Sequence, residues 1–316
     1  VRRTGSAERA AGDWRDAREP FISIAGKSWK VDAGLAKRAA KRCESGIRAV
    51  FSPVLYDDQA ARFDDRAGIP VQVAERVAAA VVSLARLGED DLVLDVGTGP
   101  GSLSFSLLRW STRYLGFDRS PAMVAAFREL LDGMGFADRV VVADGNERWP
   151  VDDGSVTVIF SARAIHHLHP DHVVAETRRV LRAPGGWLVL GRVRRPPDSP
   201  KSEMRRRMRQ LLRDKGFAGR SAEAGSDAVF TALERLGARR EEPHVASRWT
   251  TSHAPADSIA AWEGKAGLAG IEVPAGVKSR VLAGVRAWAA ERFGSIDQPL
   301  PQEEAFELAA IQVPAG

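Results

Sequence analysis

The chain has one cysteine, Cys43, among 316 residues. An internal disulfide is excluded, and a reducing setting is expected, with a thiol that packs rather than reacts. No stretch approaches the roughly 20 apolar residues of a membrane span. The opening residues, VRRTGSAERAAGDW, lack the apolar core of a secretory signal. These absences lead to the expectation of a soluble, cytoplasmic protein without membrane contact. A strong charge is missing too, since a net +5 in a chain rich in Arg and Ala throughout decides little about partners. The length allows a full hydrophobic core in one large domain or two modest ones. No internal repeat or long low-complexity linker is visible.

What is present begins with DLVLDVGTGPGSLSF, Asp91 to Phe105. Leu92 to Val96 is a short apolar run bounded by turn formers, the pattern of a strand covered on both faces. Gly97, Gly99 and Gly101 follow at every second position, so the turn stands at the carboxyl edge of a sheet. Glycine allows positive φ and close backbone approach to a ligand, which suits a nucleotide-type site. A dinucleotide fingerprint would need its last glycine where Ser102 stands, which weakens a pyrophosphate reading, and no Lys-Ser or Lys-Thr follows to make a P-loop.

Along the chain, LAKRAAKRCESGIRAVF reads as helix, and Val73, Val77 and Val81 mark an apolar helical stripe after Pro70. Ser120-Pro121 supplies an N-cap and a first-turn proline for a helix whose face is expected at Met123, Phe127, Leu130 and Met134. RVVVAD and VTVIFS read as strands, HVVAETRRVLR as helix, and WLVLGRV as a fifth strand. This alternation predicts a doubly wound, mostly parallel α/β sheet with ligands outside the carboxyl ends of its strands. After RRPPDSP the character changes. A very basic helix with Met204, Met208, Leu211 and Leu212 on its apolar side is followed by a second helix with Val229, Phe230, Leu233 and Leu236. A strand, two helices around Trp262 and Trp288, and a closing strand EEAFELAAIQV complete the chain.

Four features fall at successive strand ends: Asp95 before the glycines, Asp118 closing YLGFD, Asp144-Gly145 closing VVVAD, and Ser161 to His167 after VTVIF. A carboxylate about twenty residues after a Gly-rich turn is placed to accept both hydroxyls of a ribose.

This set resembles the class I S-adenosylmethionine-dependent methyltransferases, especially the small-molecule group that includes ubiquinone-type methyltransferases. LDVGTGPG is similar to the first motif, Asp118 to the ribose-binding acid, ADG to the adenine-contacting segment and FSARAIHHL to the motif after the fourth strand. The resemblance covers residues 50 to 195 and, more loosely, the closing strand pair. It implies a Rossmann-like sheet of seven strands, S-adenosylmethionine as cofactor and a small-molecule substrate that could be anionic or a natural-product intermediate. It further implies that the backbone of Gly97, Thr98, Gly99 and Gly101 passes beneath the methionine and ribose, with Asp95 near the amino group, directly or through water. Asp118 would bind ribose, Arg119 would flank adenine, and Asp144 would accept from the adenine amino group while Gly145 lets the backbone approach. Ser161 lies in the segment running past the methionine part, and Tyr56 resembles a lid aromatic, with a core role equally open. The implied organisation is an amino-terminal helical lid (1–70), a cofactor-binding core (71–195), an inserted helical lid (196–245) and closing strands and helices that complete the sheet (246–316).

HHLHPDH holds four histidines. With a strand ending near Phe160 and a helix starting near Asp171 they should point in several directions, and no metal site is expected. The resemblance puts His166 or His167 near the transferred methyl, where a neutral imidazole can take a proton; a loop-packing role is as open. Arg163 stands where the family commonly has small or amide residues and offers an anion contact or points to solvent; Arg194 is a second candidate for an anionic substrate. Two alternatives remain: an RNA methyltransferase using the basic helix 201–215, although no RNA-binding module is recognisable and nucleic acid is not the expected partner, and a non-catalytic protein that keeps the fold.

Overall fold

The computed structural model describes residues 69–314 apart from 111–112, 183–184, 219–221 and 266. The expected helix around Cys43, Tyr56 and nearly all of the 1–70 segment therefore lie outside the described residues.

The predicted alternation is realised as α1 (Val71–Ala85), β1 (Leu92–Val96), α2 (Ser104–Trp110), β2 (Arg113–Asp118), α3 (Pro121–Leu130), β3 (Val140–Val142), β4 (Val158–Ala162), α4 (Pro170–Val180) and β5 (Gly186–Arg194). After β5 come α5 (Pro200–Arg213), α6 (Ala222–Arg235), β6 (Arg239–Arg240), β7 (His244–His253), α7 (Pro255–Glu263), α8 (Ala275–Phe293) and β8 (Leu300–Val313).

Strands β1 to β5 are parallel in the order 3-2-1-4-5, and β8 joins β5 antiparallel. The chain leaves β1 toward β2 and β3, then crosses back to place β4 on the other side of β1. That reversal opens a crevice at the carboxyl ends of β1 and β4, the place where open α/β sheets bind ligands.

Eight strands are present where seven were expected. The extra one arises because the edge beyond β8 is split: β6 pairs with Ile311 and Gln312, and β7 pairs with Leu300 to Leu308. Between them lies Pro243, which has no N–H to offer a ladder. The two pieces lie along the same side of β8, so seven positions across the sheet are kept.

Strand residues alternate between two cores, as the period of two requires. Val93, Tyr114, Val158, Phe160 and Val189 face one cluster, covered by α1, α2 and α3. Leu94, Leu115, Ile159 and Leu188 face the other, covered by α4 and by Val229, Phe230 and Leu233 of α6. A third cluster stands apart from the sheet. Met204, Met208 and Leu212 of α5 pack with Ile259 and Trp262 of α7 and Val281, Leu282 and Val285 of α8. Helices that the sequence divides between an inserted lid and a sheet-completing segment thus share one core. No described helix is long and apolar enough to cross a membrane.

Helix α3 starts as expected, with the Ser120 hydroxyl accepting the Met123 N–H at 3.2 Å. Its buried face differs from expectation. Met123, Val124, Phe127 and Leu131 are buried, whereas Leu130 and Met134 are 45% and 49% exposed. The helix ends at Leu130, so the residues beyond it no longer follow the helical period.

Phe127→Ala should cost about 3–5 kcal/mol in chemical denaturation, while Leu130→Ala should stay within about 0.5 kcal/mol. Equal losses would show that the packed face runs through Leu130 after all.

Candidate active site

The glycine turn is built by donors that the neighbouring strand satisfies. The N–H groups of Gly97 and Thr98 both donate to the carbonyl of Phe117, at 2.9 and 3.2 Å. Gly99 N–H donates to Asp118 Oδ2 at 2.9 Å, and Ser120 N–H donates to Oδ1 at 2.9 Å. Three successive amides are therefore spent on β2. They do not converge on an external phosphate, as those of a P-loop would.

The three glycines do different work. A Cβ at Gly97 would stand 2.2 Å from the Ala164 methyl, and one at Gly101, where φ is +95°, would stand 2.1 Å from the Phe127 ring. Those two sites are closed by packing. At Gly99, φ is +58° and a Cβ would meet nothing within 4 Å. Only there does the turn face open space.

Asp118 is half-buried at the end of β2. Burial raises its pKa, and the Ser120 and Gly99 N–H groups and the Arg119 charge oppose that rise. A carboxylate has about four lone-pair sites, so acceptor capacity remains after the Gly99, Ser120 and Arg119 backbone bonds. Arg119 beside it is exposed. Asp144, half-buried beyond β3, accepts the Asn146 N–H through Oδ1 at 2.9 Å and keeps its other oxygen. Gly145, expected to let the backbone approach adenine, is also bare for a packing reason. A Cβ there would meet Leu168 at 2.8 Å, so its bareness makes room for a neighbouring side chain. Its carbonyl accepts the Trp149 indole N–H at 3.0 Å.

Asp95 lies on the same face of the sheet as Asp118, two register positions further back, and is 1% exposed. Tyr114 Oη donates to its Oδ2 at 2.9 Å. Burial pushes its pKa up to about 6, against the Ser104 and Tyr114 hydroxyls and with help from the Asp118 charge.

Ser161 is accounted for inside the fold, its hydroxyl donating to the Val96 carbonyl at 2.8 Å and bracing β4 to β1. Arg163 is half-buried with φ +63°, a left-handed conformation that a non-glycine residue adopts at a cost, and its N–H donates to the Gly191 carbonyl at 3.2 Å. Arg194 is exposed and answers Glu223 at 3.2 Å and Glu307 at 3.3 Å, so its charge is balanced within the chain.

Ile165–His167 forms a short 3-10 turn after β4. His166 is half-buried, its ring 4.0 Å from that of His167. Burial, then the His167 charge, lowers its pKa to about 4, so it is neutral at physiological pH and a weak base. His167 is exposed. His172 Nε2 lies 2.9 Å from the Glu147 carbonyl, away from that pair. Among the described residues no group of three or more His, Cys, Asp or Glu is arranged to hold a metal ion. Helix α6 reaches this turn: a Cβ at Gly225 would stand 3.6 Å from the His166 Cα.

A family model described as a methyltransferase domain matches residues 93–186. This segment is therefore similar to a methyltransferase domain. It holds every strand end described above. The chain is 38% identical over 111 residues to an uncharacterised 37.1 kDa protein of transposon TN4556 from Streptomyces fradiae, covering 34% of this chain and 31% of that protein. It is 35% identical over 98 residues to an uncharacterised methyltransferase of Mycobacterium bovis, covering 31% and 38%. The matches thus span little more than a third of these relatives' length. Among solved structures, the YcgJ protein of Bacillus subtilis aligns with a TM-score of 0.49 at 19% identity, over 76% of this chain and 98% of that one.

The residues of the methyltransferase domain fit its cofactor, S-adenosylmethionine. Open space at Gly99, spare lone pairs at Asp118 and Asp144, and buried negative charge at Asp95 suit a cationic, phosphate-free nucleoside. Tyr114 was not foreseen, because a tyrosine inside a strand reads as core until its hydroxyl is seen against an acid.

Gly101→Ala should lower stability by about 2 kcal/mol or more through the clash with Phe127. Gly99→Ala should cost only about 1 kcal/mol for its backbone yet weaken S-adenosylmethionine binding; thermal melts and calorimetry separate the two. Asp95 stabilises the fold least where it is ionised: its raised pKa makes its contribution fully present below about pH 4 and lost as pH rises through about 6. Asp95→Asn should therefore stabilise the cofactor-free protein at neutral pH by up to about 3 kcal/mol, a gain that shrinks on acidification, as melting curves across pH would show.

Proposed function

We propose that this protein transfers the methyl group of S-adenosylmethionine to a small-molecule acceptor. The observation that carries the reading is the meeting of the Gly99 opening, Asp118, Asp144 and His166 at the carboxyl edge of one parallel sheet, at the ends of β1 to β4. In this reading Asp118 accepts from the ribose with its remaining acceptor capacity, held in place by the Gly99 and Ser120 amides. Asp144 accepts from the adenine amino group, and Arg119 flanks the base. Asp95 supplies negative charge beneath the cationic end.

The bound cofactor supplies a methyl on a sulfonium that is already an activated leaving group. The protein's part is to align the acceptor and keep water out. In this reading His166, neutral at physiological pH, accepts a hydrogen bond or a proton from an oxygen or nitrogen nucleophile. The close approach of α6 to the His166 turn supports a lid role for the 196–245 segment. A cover that includes α6 favours an acceptor small enough to be enclosed.

Calorimetric titration of the full chain should show S-adenosylmethionine binding, and Asp118→Ala should weaken it roughly ten-fold or more, the loss of about 1.4 kcal/mol expected for charge-assisted bonds. Absence of binding, or an unchanged affinity in the variant, would remove this reading.

A further inference from the structure

Asp95 has a partner built for it. The register neighbour of Asp95 across the β1–β2 ladder is Gly116, and Tyr114, two residues earlier on β2, reaches it diagonally. That reach requires Gly116 to be bare: a Cβ there would stand 2.6 Å from Tyr114 Oη and 2.6 Å from Thr98 Cγ2. One missing methyl admits both the phenol and the threonine of the glycine turn. Tyr114 is 2% exposed. Burial, then the Asp95 charge, holds its pKa well above the usual phenol range, so it remains a donor at every working pH.

The ionisable and polar groups that act on Asp95 are Tyr114 from β2, Ser104 from α2 and the Asp118 charge from the end of β2. None is a cation. The acid is held in a dry site by hydroxyl donors alone, and a chain seeking only stability would place an apolar residue there. A buried anion kept ionised without a resident cation is suited to a cation that arrives.

We infer that Tyr114 is a positioning residue for the cofactor site: its hydroxyl keeps Asp95 ionised, so that negative charge stands ready beneath the glycine turn for the cationic end of S-adenosylmethionine. This rests on the methyltransferase reading above. The sign follows directly. Removing the hydroxyl removes a bond to the charged form of Asp95, and its pKa rises above about 6. Near neutrality the variant's acid is then more protonated than the wild type's, and alkali restores its charge. Phenylalanine keeps the ring, so a role limited to packing would leave no such pH signature.

The test is calorimetric titration of S-adenosylmethionine into the full chain, wild type, Tyr114→Phe and Asp95→Asn, from about pH 5 to about pH 8.5. The ratio of the two affinities at each pH cancels the cofactor's own titration. The expected result is roughly ten-fold weaker binding by the variant near neutral pH, narrowing toward the alkaline end. A ratio that is constant with pH, or equal to one throughout, overturns the inference. Asp95→Asn should bind weakly with a flat profile, while the wild type loses affinity relative to it as pH falls through about 6; a wild type that tracks Asp95→Asn at every pH also overturns it, and this comparison stands if Tyr114→Phe does not fold. Carboxyl NMR of the cofactor-free protein gives an independent readout, since Asp95 should titrate at higher pH in Tyr114→Phe, and an unchanged midpoint overturns the link. A wild type that binds no cofactor at any pH, with the NMR shift present, brings down the methyltransferase reading instead.

Discussion

The structure depends on how the turn after β1 is fastened to the end of β2. Gly97 and Thr98 give their N–H groups to one carbonyl, that of Phe117, and Gly99 gives its N–H to the carboxylate of the next residue, Asp118. These contacts fix the glycine corner and aim the acid at once. Because the same carboxylate also receives the Ser120 amide, the start of α3 is tied to the same point. An acid placed this way does not have to be ordered when a ligand arrives, which removes an entropic cost of binding. The backbone needs the acid as much as a ribose would, so the two roles of Asp118 cannot be separated by sequence position alone.

Behind that corner the fold gives up stability. Among the described residues Asp95 is enclosed with hydroxyl donors and no cation, and burial raises its pKa because it disfavours the charged form. Burying an unpaired charge is among the most unfavourable acts a core can perform. Its neighbours on the same strand are ordinary core residues, Val93 and Leu94 among them. A strand of otherwise apolar side chains that retains one acid at its carboxyl end marks a place where function and folding pull against each other.

Much of this was legible in the sequence, for physical reasons. Strand runs and helical stripes report burial, and Asp118, Asp144 and His166 stood out because they follow apolar runs at the edge where parallel sheets bind ligands. Other features are set by tertiary contact and leave no local trace. The period of Met204, Met208 and Leu212 says that α5 has an apolar face, but not that its partners are Trp262 and Val285 rather than the sheet. Gly97, Gly99 and Gly101 read alike, yet two are bare for Ala164 and Phe127 and one for open space. Ser161 lies in a motif segment, and its hydroxyl turns out to brace Val96. Leu131 replaced Leu130 on the buried face because the helix ends between them.

Strand β8 lies between β5 on one side and β6 and β7 on the other, and it follows all three in the chain. During synthesis, then, the ribosome releases both flanking ladders before the piece that joins them. Until Phe306, Leu308 and Ile311 emerge, two rows of backbone donors and acceptors lack their mate, and the apolar walls on either side of the gap stand uncovered. A chain that folds from its amino end therefore carries two unpaired sheet edges until β8 is laid between them.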